Sequence, residues 1–138
     1  MDDSTRLRIA KPEPDRSELR VIWSKLTELS EIAIRRCVPV VGGIYVLWQP
    51  PMGQSAMKPY YVGSAVDLQR RLLDHLSGGY RTTLLGPLEE GDVQFQYASL
   101  EPFETRRRVA TYLFNALRPE GNQRAPGGVP QSVNLPVP

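Results

Sequence analysis

The sequence predicts an α+β domain, a small antiparallel sheet of about three strands flanked by helices. Three observations lead there. Apolar residues recur at helical spacing in three separate windows. Two short runs rich in β-branched and aromatic residues are joined by a stretch of turn-forming residues, which returns the second antiparallel to the first. A third run, "DVQFQYAS", alternates apolar with polar residues. Helices interleaved with a short antiparallel sheet define the class.

Residues 1–14 hold two prolines, mixed charges and no periodicity, and read as a flexible N-terminal arm. Asp15 followed by Glu18 resembles a capping box, and Leu19, Ile22, Trp23, Leu26 and Leu29 then recur at helical spacing, so a helix is expected over 16–36. "PVVGG" ends it. "GIYVLW", 43–48, reads as a buried strand, "QPPMGQSAMKP", 49–59, as a turn, and "YYVG" as the returning strand. A helix follows from Asp67 to Leu76, stopped by Gly78-Gly79. Residues 77–91 form a glycine-containing loop whose "EEGD" is an acidic turn without the spacing of a metal site. Val93, Phe95 and Tyr97 mark a half-buried strand, and the last helix runs from Pro102 to just before Pro119. The expected organisation is one domain over 15–122, with a Pro/Gly-rich tail over 123–138 lying along its surface.

Composition narrows the functional classes. A chain of 138 residues is long enough for one real core. Its net charge of +2 permits nucleic-acid binding without arguing for it. A single cysteine, Cys37, excludes an intramolecular disulfide and a cysteine-based zinc cluster and fits a reducing compartment. The N-terminus lacks a signal-peptide pattern, and no stretch approaches the roughly 20 apolar residues that cross a bilayer. A cytoplasmic protein that does not enter a membrane is the expectation.

The segment "YYVGSAVDLQRRLLDHL" carries more than packing needs. Leu68, Leu72 and Leu76 form one helical stripe, widened by Leu73, and Asp67, Arg71 and His75 form a second beside it. Taken alone, the simpler reading is an Asp67–Arg71 pair, with His75 a cation at the helix end. The partner strand changes the weighing. Tyr45 alternates with Ile44 on a strand paired to the one bearing Tyr61, so two tyrosines, an arginine and a histidine converge if the helix packs across the pair.

Together these segments resemble the GIY-YIG nuclease superfamily. Gly43-Ile44-Tyr45 matches its first signature, and Tyr61-Val62-Gly63 its second with a valine. Arg71 stands ten residues after Tyr61, at the family's catalytic arginine, and His75 at its histidine or tyrosine. "RPEGN", 118–122, looks like its Pro-x-x-Asn, giving Pro119 and Asn122. The resemblance spans about residues 42–122. Fifteen residues separate Tyr45 from Tyr61, several more than usual, and a longer hairpin loop absorbs them.

The resemblance implies phosphodiester hydrolysis, usually on DNA, assisted by one divalent cation, Mg or Mn. It implies catalytic roles for Tyr45, Tyr61, Arg71 and His75. A tyrosine deprotonates water only where positive charge lowers a pKa near 10, and either Tyr45 or Tyr61 is a candidate. Arg71 would present its planar fork to the phosphate, and His75 would orient a phenol or pass a proton. Ser64, Asn122, Arg107 and Arg118 join Arg71 as candidate nucleic-acid contacts. The four primary groups are expected to line one concave surface, with Ala110 at its floor or rim.

Ala110 is the departure. The family's metal-binding glutamate stands nine residues before the proline of Pro-x-x-Asn, which falls here on Ala110, and alanine offers no oxygen to a hard cation. Glu104 lies six residues earlier, pointing roughly 120° away and about 9 Å along the axis, and cannot replace it. Three readings stay open: a natural pseudonuclease, a deliberate glutamate-to-alanine replacement, or a carboxylate supplied by a loop or a second subunit. The expected function is a DNA endonuclease domain inactive or impaired by Ala110. Its rival is a non-catalytic module that binds nucleic acid or a protein. A monomer and a homo-oligomer both fit.

Overall fold

The computed structural model describes residues 18–49, 56–77, 93–122 and 126–138. The elements in chain order are β1 (Thr27–Glu28), α1 (Glu31–Cys37), β2 (Gly43–Gln49), β3 (Lys58–Ala65), α2 (Leu68–Ser77), β4 (Gln94–Ser99) and α3 (Phe103–Leu117). The arm over 1–14, Asp15, Gly78-Gly79 and the acidic turn of Glu89, Glu90 and Asp92 lie outside the described residues.

The strands form one antiparallel sheet in the order β1-β4-β2-β3. The α+β class is as expected, with a fourth, two-residue strand at one edge. β2 is the central strand because both neighbours pair along its length, Gly43 with Ala65 on one side and with Ser99 on the other. Its residues Gly43–Trp48 are buried, which explains why "GIYVLW" contains no charge.

Strand alternation divides the core. Tyr45, Leu47, Tyr61, Ala65 and Phe95 face one side, where Leu68 and Leu72 of α2 and Ile34 of α1 cover them. Ile44, Val46, Trp48, Val62 and Ala98 face the other, beneath Val109, Ala110 and Leu113 of α3 and Val133 of the tail. β4 is consequently buried on both faces, against the half-buried strand expected. Gln96 is 3 % exposed and fully engaged: its Oε1 accepts from Trp48 Nε1, and its Nε2 donates to the carbonyls of Ser24 and Val137.

The helix expected over 16–36 is a correction. Residues 18–26 form no helix, and only α1 is helical, its first turn capped by the Ser30 hydroxyl, which accepts from the Ala33 N–H at 3.2 Å. Leu19, Val21 and Trp23 alternate onto the second face while Ile22 is 91 % exposed. The tail decides the matter. Leu19 forms a parallel bridge with Val133, the Asn134 side chain both accepts from the Val21 N–H and donates to its C=O, and Trp23 Nε1 donates to the Asn134 carbonyl. These bonds satisfy backbone groups that a helix would have satisfied locally.

Candidate functional site

Two glycines make room for the site. A Cβ on Gly63 would stand 2.5 Å from the Tyr45 hydroxyl oxygen and from its ring carbon Cζ. Gly63 is the cross-strand partner of Tyr45, so the phenol lies flat over a position that only glycine can fill. A Cβ on Gly43 would collide with the Ala98 carbonyl and lie 2.7 Å from Leu68 Cδ1, where α2 presses on the sheet.

α2 brings the remaining groups. Asp67 Oδ1 accepts from the Arg70 N–H at 3.0 Å and starts the helix. Leu68 and Leu72 then dock on the first face, and the same face carries His75 inward to 2 % exposure. His75 Nε2 meets the Tyr45 hydroxyl at 2.9 Å. The Tyr61 ring completes a trio, its centroid 5.3 Å from His75 and 6.1 Å from Tyr45, and the imidazole is edge-on to both phenols. Tyr45 is fully buried and Tyr61 is 7 % exposed, so Tyr61 is the phenol nearer the surface.

Arg71, one turn before His75, is half-buried, and its Nη1 donates to the Ser64 carbonyl at 3.1 Å. Ser64 follows Gly63 directly, so this bond holds the guanidinium at the outer edge of β3, next to the glycine beneath the Tyr45 phenol. The Ser64 side chain alternates onto the face of Val62, beneath α3, and only its carbonyl takes part in the cluster.

The other candidates lie elsewhere. Asn122 Oδ1 accepts from the Val62 N–H at 2.9 Å, and its Nδ2 donates to the Val62 C=O at 2.9 Å. Its amide thus serves the outer edge of β3. Arg107 pairs with Glu104 at 2.9 Å and packs against Gly127 and Gly128, on the helix that covers the opposite face. Arg118 caps the C-terminus of α3 in the left-handed conformation, with φ 53°, and is exposed. Of the triple arginine, Arg106 is buried and bound to Glu101 and the Leu100 carbonyl.

No family model matches the chain, and no curated protein matches it in sequence. Solved structures resemble it in fold. A point mutant of the GIY-YIG N-terminal endonuclease domain of UvrC from Thermotoga maritima, bound to its catalytic divalent cation, superposes with a TM-score of 0.51 at 21 % identity, covering 66 % of this chain and 96 % of that one. A second point mutant of the same domain gives 0.49 at 22 % identity over the same shares. The chain has the GIY-YIG fold.

Within this fold Tyr45, Tyr61 and His75 share the sheet face covered by α2, the helix that carries Arg71. Ala110 does not stand at the floor or rim of that cluster. It is fully buried on the opposite face, within the apolar group of Ile44, Val46, Val62 and Leu113. The helix stripe responsible is Val109, Ala110, Leu113 and Leu117, the apolar side of α3. A divalent cation needs several oxygen donors. Among the described residues no group of three or more His, Cys, Asp or Glu side chains comes together, and the cluster's own donors are two phenols and an imidazole. The cluster as described therefore presents no carboxylate to a cation. No described helix is long and apolar enough to cross a membrane.

One residue escaped the sequence reading. Leu47 opposes Tyr61 while Trp48 opposes Pro59, so Tyr60 is the extra residue of a β-bulge. Tyr60 and Tyr61 consequently both pack on the first face. Proline at 59 was the available signal, because it donates nothing to a ladder and is tolerated in sheets at bulges and edges.

Proposed function

We propose that this chain is an endonuclease-type domain that grips DNA by a backbone phosphate at the Tyr45, Tyr61, His75 and Arg71 positions. The observation that carries the reading is the 2.9 Å contact between the Tyr45 hydroxyl and His75 Nε2, inside a three-ring cluster bordered by the anchored Arg71 guanidinium. A phenol bound to an imidazole has a proton acceptor in place, and an imidazole carries a proton at neutral pH with little driving force. Arg71 offers a planar, permanently charged fork to phosphate oxygens. Tyr61, nearest the surface, faces the phosphate, and the Tyr45–His75 pair holds the proton behind it.

Hydrolysis by this chain alone is impaired. The cluster as described presents no carboxylate to a cation, and Ala110, where the sequence pattern counts the superfamily's carboxylate, faces the other side of the sheet. This arrangement also supports the second reading, a module that binds nucleic acid without cutting it. The test is binding and cleavage of duplex, branched and single-stranded DNA at low salt with Mg²⁺ or Mn²⁺. Binding is expected to weaken in Arg71→Ala, with the log affinity–log salt slope shallower by about 1 as one phosphate contact is lost. Intact binding in that variant, or no binding by the natural chain, refutes the reading. Bound but uncut DNA selects the second.

A further inference from the structure

The β3 bulge gives Tyr60 a position the signature residues do not explain. Its ring packs against the first-face cluster while staying partly open to solvent. Its carbonyl accepts the Gly121 N–H at 2.6 Å, which lays the 119–122 segment along the outer edge of β3 and sets exposed Glu120 beside it. Burial, and then the negative charge of Glu120, raise the Tyr60 pKa above 10.0, so the phenol is neutral at physiological pH. An aromatic face and a carboxylate thus stand together, two residues along the strand from Val62 and four from the Ser64 carbonyl that holds Arg71. Bulges beside active sites re-aim side chains in this way.

A carboxylate repels phosphate, so Glu120 marks where the backbone track ends. What suits a stacking face with a neighbouring acceptor is a nucleobase. Unstacked bases bind aromatic rings, and carboxylates accept from the exocyclic amino groups of cytosine, adenine and guanine, which thymine lacks. We propose that Tyr60 and Glu120 form a nucleobase subsite flanking the phosphate position at Arg71, taking an unpaired base that carries an exocyclic amino group. The subsite rests on the DNA-binding reading above and narrows its substrate class to DNA with unpaired nucleotides.

Fluorescence anisotropy with short oligo-dC, oligo-dA and oligo-dT strands at low salt tests it. The natural chain is expected to bind dC and dA several-fold more tightly than dT. Tyr60→Ala should weaken binding to dC and dA about tenfold, the loss of one stacked base, while Tyr60→Phe retains it. Tyr60→Leu keeps an apolar side chain against the core without a π-face and should behave as Tyr60→Ala. Glu120→Ala should abolish the preference over dT. Arg71→Ala should weaken all three strands and reduce the salt slope, which the Tyr60 variants leave unchanged. Natural-strength binding by folded Tyr60→Leu, or an unaltered preference in Glu120→Ala, overturns the subsite and leaves the phosphate site standing. A natural chain that binds none of the strands overturns the subsite, and one that binds no duplex or branched DNA either overturns the phosphate site as well.

Discussion

Asn122→Ala separates two roles for an asparagine that sequence assigns to nucleic acid. Its amide makes two 2.9 Å hydrogen bonds to one backbone residue, Val62, sixty positions away. Each is worth about 0.5–1.5 kcal/mol net, and alanine leaves an N–H and a C=O on a partly buried strand edge. The loss is about 2 kcal/mol, which for a chain of this length lowers the thermal midpoint by roughly 6–10 °C. Thermal and urea unfolding of the DNA-free protein measure it. Asn122→Asp is the sharper control, because a carboxylate still accepts from the Val62 N–H but turns an acceptor toward the Val62 carbonyl. It should be at least as unstable near neutral pH. If Asn122→Ala unfolds within about 0.5 kcal/mol of the natural chain yet binds DNA tenfold more weakly, the amide serves the ligand and the reasoning fails.

Gly63→Ala forces a methyl group to within 2.5 Å of the Tyr45 hydroxyl and should cost about 1–3 kcal/mol. Adding Tyr45→Phe should recover part of that loss in a urea double-mutant cycle, whereas strict additivity would mean that the two positions do not meet. Ala110→Glu places a carboxylate in the apolar group of Ile44, Val46, Val62 and Leu113, with an expected cost of several kcal/mol at pH 7 that shrinks as acid protonates it. Natural stability at pH 7 would show that the new side chain leaves that group. Tyr97 donates its hydroxyl proton to the Cys37 carbonyl at 2.8 Å, and burial, then Cys37, raise its pKa above 10.0. The proton is held more tightly in the folded chain, so this contribution is complete below pH 10 and lost as pH rises through the folded-state pKa. Tyr97→Phe should flatten the alkaline fall in urea stability, and an unchanged fall would place its origin elsewhere.

The elements between Gly43 and Leu117 were legible because each is settled by short-range pattern. β-branched and aromatic runs, a proline-rich turn, leucines at helical spacing and Pro102 before α3 all lie within a few residues of what they specify. The 16–36 segment was not legible for the opposite reason. Leu19, Trp23 and Leu26 fit a helix, but Leu19, Val21 and Trp23 fit a strand equally well, and the partner that decides is Asn134, 113 residues from Val21. Burial of both β4 faces was hidden likewise, since Gln96 reads as an exposed polar residue until Trp48, Ser24 and Val137 are seen around it. The convergence of Tyr45, Tyr61 and His75 was readable from strand alternation and i,i+4 spacing. The Tyr60 bulge was marked only by Pro59, because a one-residue slip in pairing leaves no mark on the hydrophobic pattern of "KPYYVG".

β3 is an edge strand, and its outward backbone groups belong to Tyr60, Val62 and Ser64. Gly121 takes the Tyr60 carbonyl, Asn122 both groups of Val62 and Arg71 the Ser64 carbonyl. Such an edge has these carbonyls withdrawn from pairing with another chain, the usual hazard of an exposed strand. The same bonds fix the strand that carries Tyr61 and Gly63, so edge protection and site geometry are one device. Arg71 is therefore doubly employed, and Arg71→Ala must lose stability as well as affinity. Arg71→Lys divides the two: an ammonium still reaches a carbonyl and keeps the charge, but lacks the planar fork. If the guanidinium faces a phosphate, the lysine variant should unfold close to the natural midpoint and keep the natural salt slope while binding DNA severalfold more weakly. Equal binding by lysine and arginine would reduce Arg71 to a point charge at the strand edge.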